Sequence, residues 1–313
     1  MSNGNIPAIV SHNPGSVPML PRQKALSQVR PKELTVLNSQ GQRISLSTQF
    51  DIIKGLATHY IDIGQGSPIT LIHGAQSWMY TWRNNLYPLS QNFRTLALDL
   101  KGFGYSERPR GRYSIRAMAD FIEAFLASRK VTKTVLIGSS AGGAFVLDLA
   151  SSRPDLVSGI VLVSSCGISH DRPLLWDILK VPILGEIMMA LNNRWMVRRQ
   201  LLEIFHDKRL VTEEMVEAIY KPLTLPGSNR ASLRETRQHD PRNIDLAKIT
   251  MPALIVWGDK DPWHPMEMAR RFQVFFPQAQ FEILENAGHL PHEEKPAEFN
   301  QIVTKFVSEL SSP

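Results

Sequence analysis

Residues 138–142 read Gly138-Ser139-Ser140-Ala141-Gly142, behind the apolar run Thr134-Val135-Leu136-Ile137 and ahead of the helix-like Ala144-Phe145-Val146-Leu147-Asp148-Leu149-Ala150. A strand that turns this sharply into a helix constrains the chain more than any other feature. The neighbours across the bend must be small, and Gly138, Ser139, Ala141, Gly142 and Gly143 all are. A serine at the middle of such a bend projects its hydroxyl from the sheet edge, as a nucleophile must. Ser140 holds that position and Ser139 does not. The bland alternative is a glycine-rich turn that only lets strand and helix pack.

A serine hydroxyl is a weak nucleophile without a base and a group that orients the base. The C-terminal third supplies both. Ala253–Trp257 has the composition of a buried strand and runs into Gly258-Asp259-Lys260-Asp261-Pro262. Phe281–Leu284 is a second strand pattern, followed by Asn286-Ala287-Gly288-His289-Leu290-Pro291-His292. An acid after one strand and a histidine after the next can converge on Ser140 across neighbouring strand ends. Asp261 is favoured over Asp259, since an aspartate at the strand end commonly caps the turn. His289 is favoured over His292 because Gly288 permits a close backbone approach; His292 reads as a solvated or supporting histidine.

Ile69–Ile72 is a further strand, and His73-Gly74-Ala75-Gln76 is its exit loop. The backbone N–H groups of Ala75 and Ala141 are the expected oxyanion donors. With the other matching strings, Ser77-Trp78-Met79-Tyr80-Thr81-Trp82-Arg83 and Asp99-Leu100-Lys101-Gly102-Phe103-Gly104-Tyr105-Ser106, the chain resembles the α/β-hydrolase superfamily from about residue 55 to 310. The resemblance is to lidded members related to meta-cleavage-product hydrolases, epoxide hydrolases and haloalkane dehalogenases. It implies a mostly parallel eight-stranded sheet with helices on both faces and a helical cap. Epoxide hydrolases and dehalogenases carry aspartate at the nucleophile position, whereas this chain has Ser140. The implied chemistry is therefore acyl transfer to water from an ester or lactone. The alternatives are hydrolysis of a C–C bond in a vinylogous diketone, or a ligand receptor of the same fold without turnover.

At 313 residues and 43% hydrophobic content, the chain can bury one large core plus a cap. The expected division is an N-terminal arm over 1–32, extended or disordered, a core over 33–167 and 246–313, and a helical cap over 168–245. In the core, Gln42–Leu46, Ala57–Ile63 and Thr95–Leu98 read as strands, and Ser114–Ser128 has helical apolar spacing. In the cap, Leu174–Leu179, Gly185–Phe205, Thr212–Tyr220 and Asn229–His239 read as helices. Trp78, Met188, Trp195 and Trp263 are the expected substrate contacts, in a pocket for an apolar small molecule.

The net charge of +6 comes without a stripe of lysines and aromatics, so a nucleic-acid partner is not expected. The longest apolar stretch, Val181 to Leu191, is interrupted by Gly185 and Glu186 and is too short to span a bilayer. Residues 1–32 have no apolar block of the secretory kind. The single cysteine, Cys166, reads as a small buried filler without a catalytic partner and suits a reducing compartment, so a cytoplasmic location is expected. No metal-ligand cluster or dinucleotide signature is present in the sequence, and neither metal nor cofactor is expected.

Overall fold

The computed structural model describes residues 19–38, 40–168 and 174–310. Its strands are β1 (Glu33–Leu37), β2 (Arg43–Ser47), β3 (Gln49–Ile53), β4 (Leu56–Ile63), β5 (Pro68–Ile72), β6 (Arg94–Leu98), β7 (Thr134–Ser139), β8 (Val157–Val163), β9 (Ala253–Gly258) and β10 (Gln280–Leu284). β1 and β2 form a separate antiparallel pair, while the other eight make one sheet in the order β10-β9-β8-β7-β5-β6-β4-β3. β4 runs antiparallel to both of its neighbours, and every other pairing in that sheet is parallel.

The strand interiors explain the topology. β5, β7, β8 and β9 are almost continuously buried runs of Val, Ile and Leu, as parallel strands covered on both faces must be. The covering helices bury apolar stripes. Ile115–Ser128 turns Met118, Ile122 and Phe125 inward, with Ser114 as its N-cap accepting from Ala117 N–H. The parallel strands all end on one side, and the loops leaving β5, β7, β9 and β10 gather there, where an open α/β sheet binds ligands.

Between β8 and β9 the described residues form helices only, at Leu174–Lys180, Leu184–Ala190, Arg194–Ile204, Glu213–Leu223 and Ser228–Gln238, with short 3-10 turns between. The single helix expected over Gly185–Phe205 is broken in two. Asn193 caps the second half, its side chain accepting from Met196 N–H, which competes with continuation of the first. Thr212 caps the next helix, accepting from Met215 N–H. The N-terminal arm also differs from expectation: Pro21–Val29 is helical, and Gln23 is buried, donating to the Gly55 carbonyl and to Glu107 Oε2. Residues 1–18 of that arm lie outside the described residues. Among the described residues no helix is long and apolar enough to cross a membrane.

Candidate active site

Ser140 sits between β7 and the helix Ala141–Ser152 with φ 52° and ψ −122°. Such a conformation costs a non-glycine residue on the order of 1–3 kcal/mol and persists only where the surroundings enforce it. Here they do. Ser140 N–H donates to the Val163 carbonyl at 2.9 Å, and the Ser140 carbonyl accepts from Gly143 and Cys166 N–H. A Cβ on Gly138 would stand 2.6 Å from the Gly142 carbonyl oxygen, and one on Gly142 2.5 Å from that of Ile72. Only glycine fits at either position.

The structure brings Ser140, His289 and Asp261 together. Ser140 Oγ lies 3.0 Å from His289 Nε2, and His289 Nδ1 lies 2.9 Å from Asp261 Oδ2. Asp261 Oδ1 also accepts from the backbone N–H groups of Trp263 and His264, at 2.9 Å each. Burial alone would raise the Asp261 carboxyl, but His289 and His264 beside it hold it below the ordinary carboxylate value. Asp259 is placed differently: its carboxylate faces Ala287 N–H and the Lys260 ammonium in the neighbouring turn.

His289 is pinned from the cap side. Its N–H donates to the Ile204 carbonyl at 2.8 Å, and a Cβ on Gly288 would stand 2.2 Å from that same oxygen. Gly288→Ala is therefore expected to lower stability by about 1–3 kcal/mol, the usual cost of overpacking. Urea unfolding checks this, and an unchanged midpoint contradicts it. His292 is not solvated but fully buried, with Nε2 3.0 Å from Thr81 Oγ1 and its ring 4.3 Å from that of Trp82. Burial pushes its imidazole well below the ordinary value, so it is neutral.

Ala141 is the first residue of its helix, so its N–H has no acceptor within that helix. Ala75, on the loop after β5, borders the same space as Ser140. Sequence reasoning missed what shapes that loop. His73 Nδ1 faces the Gly74 carbonyl at 2.7 Å, while Nε2 accepts from Leu100 N–H at 3.0 Å. The buried Asp99 accepts from Met79 and Tyr105 N–H and meets His59 Nδ1 at 2.8 Å. The visible signal was Gly104, where a Cβ would lie 2.2 Å from Asp99 Oδ2.

Ser140 opens into a cleft beneath the cap helices. The cap lines it with Val197, Leu201 and Ile204 from one helix and Met215, Ile219 and Leu223 from the next. Trp263 borders it, its ring 5.2 Å from that of His289. The other three expected substrate contacts lie elsewhere. Trp78 is buried against Tyr80 and donates to the Ala218 carbonyl, bracing the cap from below. Met188 is half-buried outside the cleft, and Trp195 is 64% exposed. Val197, two residues on, points inward, so the helix turns its other face to the cleft.

Asp261, His264 and His289 also lie close enough together to suggest a metal-binding cluster. In this arrangement all four ring nitrogens have protein partners: His289 Nδ1 faces Asp261 and its Nε2 Ser140 Oγ, while His264 Nδ1 faces the Ser164 carbonyl and its Nε2 the Cys166 sulfur.

Residues 67–296 match the alpha/beta hydrolase fold family. The chain belongs to that family. A 2-hydroxymuconate semialdehyde hydrolase from Pseudomonas sp. strain CF600 is 28% identical over 271 residues, 82% of this chain and 93% of that protein. Among solved structures, a meta-cleavage product hydrolase from Pseudomonas fluorescens IP01 is similar, with a TM-score of 0.73 at 23% identity over 83% of this chain and 97% of that one. A thermophilic esterase from Thermogutta terrifontis gives a TM-score of 0.72 at 22% identity, over 90% of this chain and 100% of that one. These likenesses to solved structures bear on the hydrolase's fold.

Proposed function

We propose that this hydrolase is a serine-dependent carboxylic-ester hydrolase that cleaves uncharged, largely apolar esters or lactones through an acyl-enzyme. The observation that carries the proposal is the unbroken contact from Ser140 Oγ through His289 to Asp261, opening on an apolar cleft. His289 takes the Ser140 proton as Oγ attacks the carbonyl carbon, and Ala75 and Ala141 N–H groups receive the charge on oxygen. The proton passes to the leaving alcohol, water then attacks the ester of Ser140, and His289 returns a proton to Oγ. Preplaced oxyanion donors lower such a barrier by about 3–4 kcal/mol each.

The similarity to a semialdehyde hydrolase of the meta-cleavage kind favours C–C hydrolysis as a second reading. The lining of the cleft favours the ester. Its ionisable side chains among the described residues are His289 and Glu293, and Glu293 is held by Arg83 and Thr81. No lysine or arginine among those lining residues faces a substrate carboxylate, and a buried anion without a partner is strongly disfavoured. A p-nitrophenyl ester with a neutral acyl chain should thus exceed one of equal length ending in a free carboxylate by about tenfold or more in kcat/KM, a difference of about 1.4 kcal/mol. Preference for the carboxylate, or cleavage of a 2-hydroxy-6-oxo-dienoate without ester turnover, would replace the ester by the C–C reading.

Chain length supplies a further test. Each buried methylene adds roughly 0.8 kcal/mol of binding, so kcat/KM should rise from acetate towards butyrate or hexanoate and then fall. Ile219→Trp, filling the cleft, should move the optimum back towards acetate. An optimum unmoved by Ile219→Trp but moved by Trp195→Ala would place the acyl chain elsewhere.

A further inference from the structure

Behind the triad lies a run of buried and half-buried ionisable side chains that acyl transfer leaves unused. It starts in the cap, where buried Glu235 meets His239 Nδ1 at 2.8 Å. Cys166 Sγ lies 3.7 Å from His264 Nε2, and His239 is near enough to act on the thiol electrostatically. His264 reaches the triad twice. Its N–H donates to Asp261 Oδ1 at 2.9 Å, and its ring stands edge-on to that of His289, 4.7 Å between centroids. Cys166 N–H in turn donates to the Ser140 carbonyl. The expected small filler thus has an imidazole partner in His264, and its backbone is bonded to the nucleophile's carbonyl.

The proton positions follow from the partners. His264 Nδ1 faces the Ser164 carbonyl at 2.8 Å, an oxygen that only accepts, so that nitrogen carries a proton. His239 Nδ1 likewise faces a carboxylate. The remaining nitrogen of the His264 ring faces the Cys166 thiol, which can transfer its proton to it and then accept from it. Cys166, His264 and Asp261 then alternate in sign up to the acid of the triad.

We propose that Cys166 and His264 form a thiolate–imidazolium pair that makes His264 a positioning residue for Asp261, a role that rests on the serine-hydrolase reading of the triad. The charges around the pair agree with it. Burial opposes ionisation of all three groups, yet the Cys166 thiol is held well below its ordinary value by His264 and His239. Both imidazoles are raised to about 9, His264 by Cys166 and Asp261, and His239 by Cys166 and Glu235. His264 stays charged as pH falls below that value. A cation beside Asp261 holds its carboxyl below the ordinary value, so the carboxylate that orients His289 stays ionised to lower pH than it would beside a neutral residue.

The test is the pH dependence of fluorophosphonate labelling of Ser140 in the full chain, with turnover of a neutral ester in parallel. Cys166→Ser removes the thiolate. His264→Asn keeps an N–H for the Ser164 carbonyl and removes the charge. Both should still label, with kcat lowered, KM within about twofold, and the acid limb moved upward by roughly half to one pH unit. A purely structural role moves the melting temperature and leaves the limb in place. An acid limb in Cys166→Ser unmoved or displaced downward overturns the pair; should that variant not fold, His264→Asn decides by the same criterion. The wild-type protein gives a readout that needs no variant. Its one cysteine should show thiolate ultraviolet absorbance already at pH 6, and absorbance appearing only near the free-thiol value of about 8.5 overturns the proposal. Labelling that persists in Ser140→Ala overturns the hydrolase reading and the positioning role with it, a result distinct from an unmoved limb.

Discussion

Ser140→Ala should lose both fluorophosphonate labelling and ester turnover, the latter by about 10⁴–10⁶, because nucleophile, base and acid act as a unit. The variant should fold, since alanine keeps the small side chain the bend requires and the backbone bonds of residue 140 to Val163, Gly143 and Cys166 remain. Ser139 provides the control. It is buried in β7 and does not contact His289 within hydrogen-bonding distance in the structure, so Ser139→Ala should keep labelling within a few-fold. Retained hydrolysis in Ser140→Ala would remove the elbow from the mechanism altogether.

Asp261→Asn should lower kcat by on the order of 10⁴, by analogy with other triads, while leaving the fold intact. The amide can still accept from Trp263 and His264 N–H. What it loses is the negative charge that holds His289 in the tautomer able to take a proton from Ser140. Asp259→Asn should change turnover little, because that carboxylate faces Ala287 N–H and Lys260. Steady-state kinetics on the two variants decide between the acids, and a larger loss at Asp259 reverses the assignment.

Much of this arrangement is legible in one dimension because catalysis demands rare local chemistry. The bend around Ser140 needs glycines at 138 and 142, and the approach at His289 needs Gly288; such requirements mark the string itself. The parallel strands are legible for a related reason, since burial on both faces leaves uninterrupted Val, Ile and Leu. What stayed hidden depends on contacts far apart in the chain. Nothing in the residues around 21–29 shows that Gln23 will find Gly55 and Glu107 and hold a helix there. Nor do apolar residues in the cap reveal which face turns inward. Trp195 and Val197 lie on the same helix, yet Trp195 faces solvent and Val197 the cleft. The surroundings of Cys166 were hidden for the same reason: the His264 imidazole that faces its sulfur lies 98 positions away, and only the fold delivers it.

The hydrogen bond from His289 N–H to the Ile204 carbonyl gives the cap a standing that its sequence does not suggest. A backbone acceptor supplied by an inserted segment holds His289 at its own main chain, so the insertion helps build the site it covers. Chimeras that exchange this segment among relatives to change substrate range therefore carry a geometric debt. The incoming helix must end with a carbonyl in the place of Ile204, or the histidine loop loses its anchor along with the old pocket. Junctions placed after Phe205 would change the later cap helices while keeping that anchor, and they divide the segment into a part open to exchange and a part that is not.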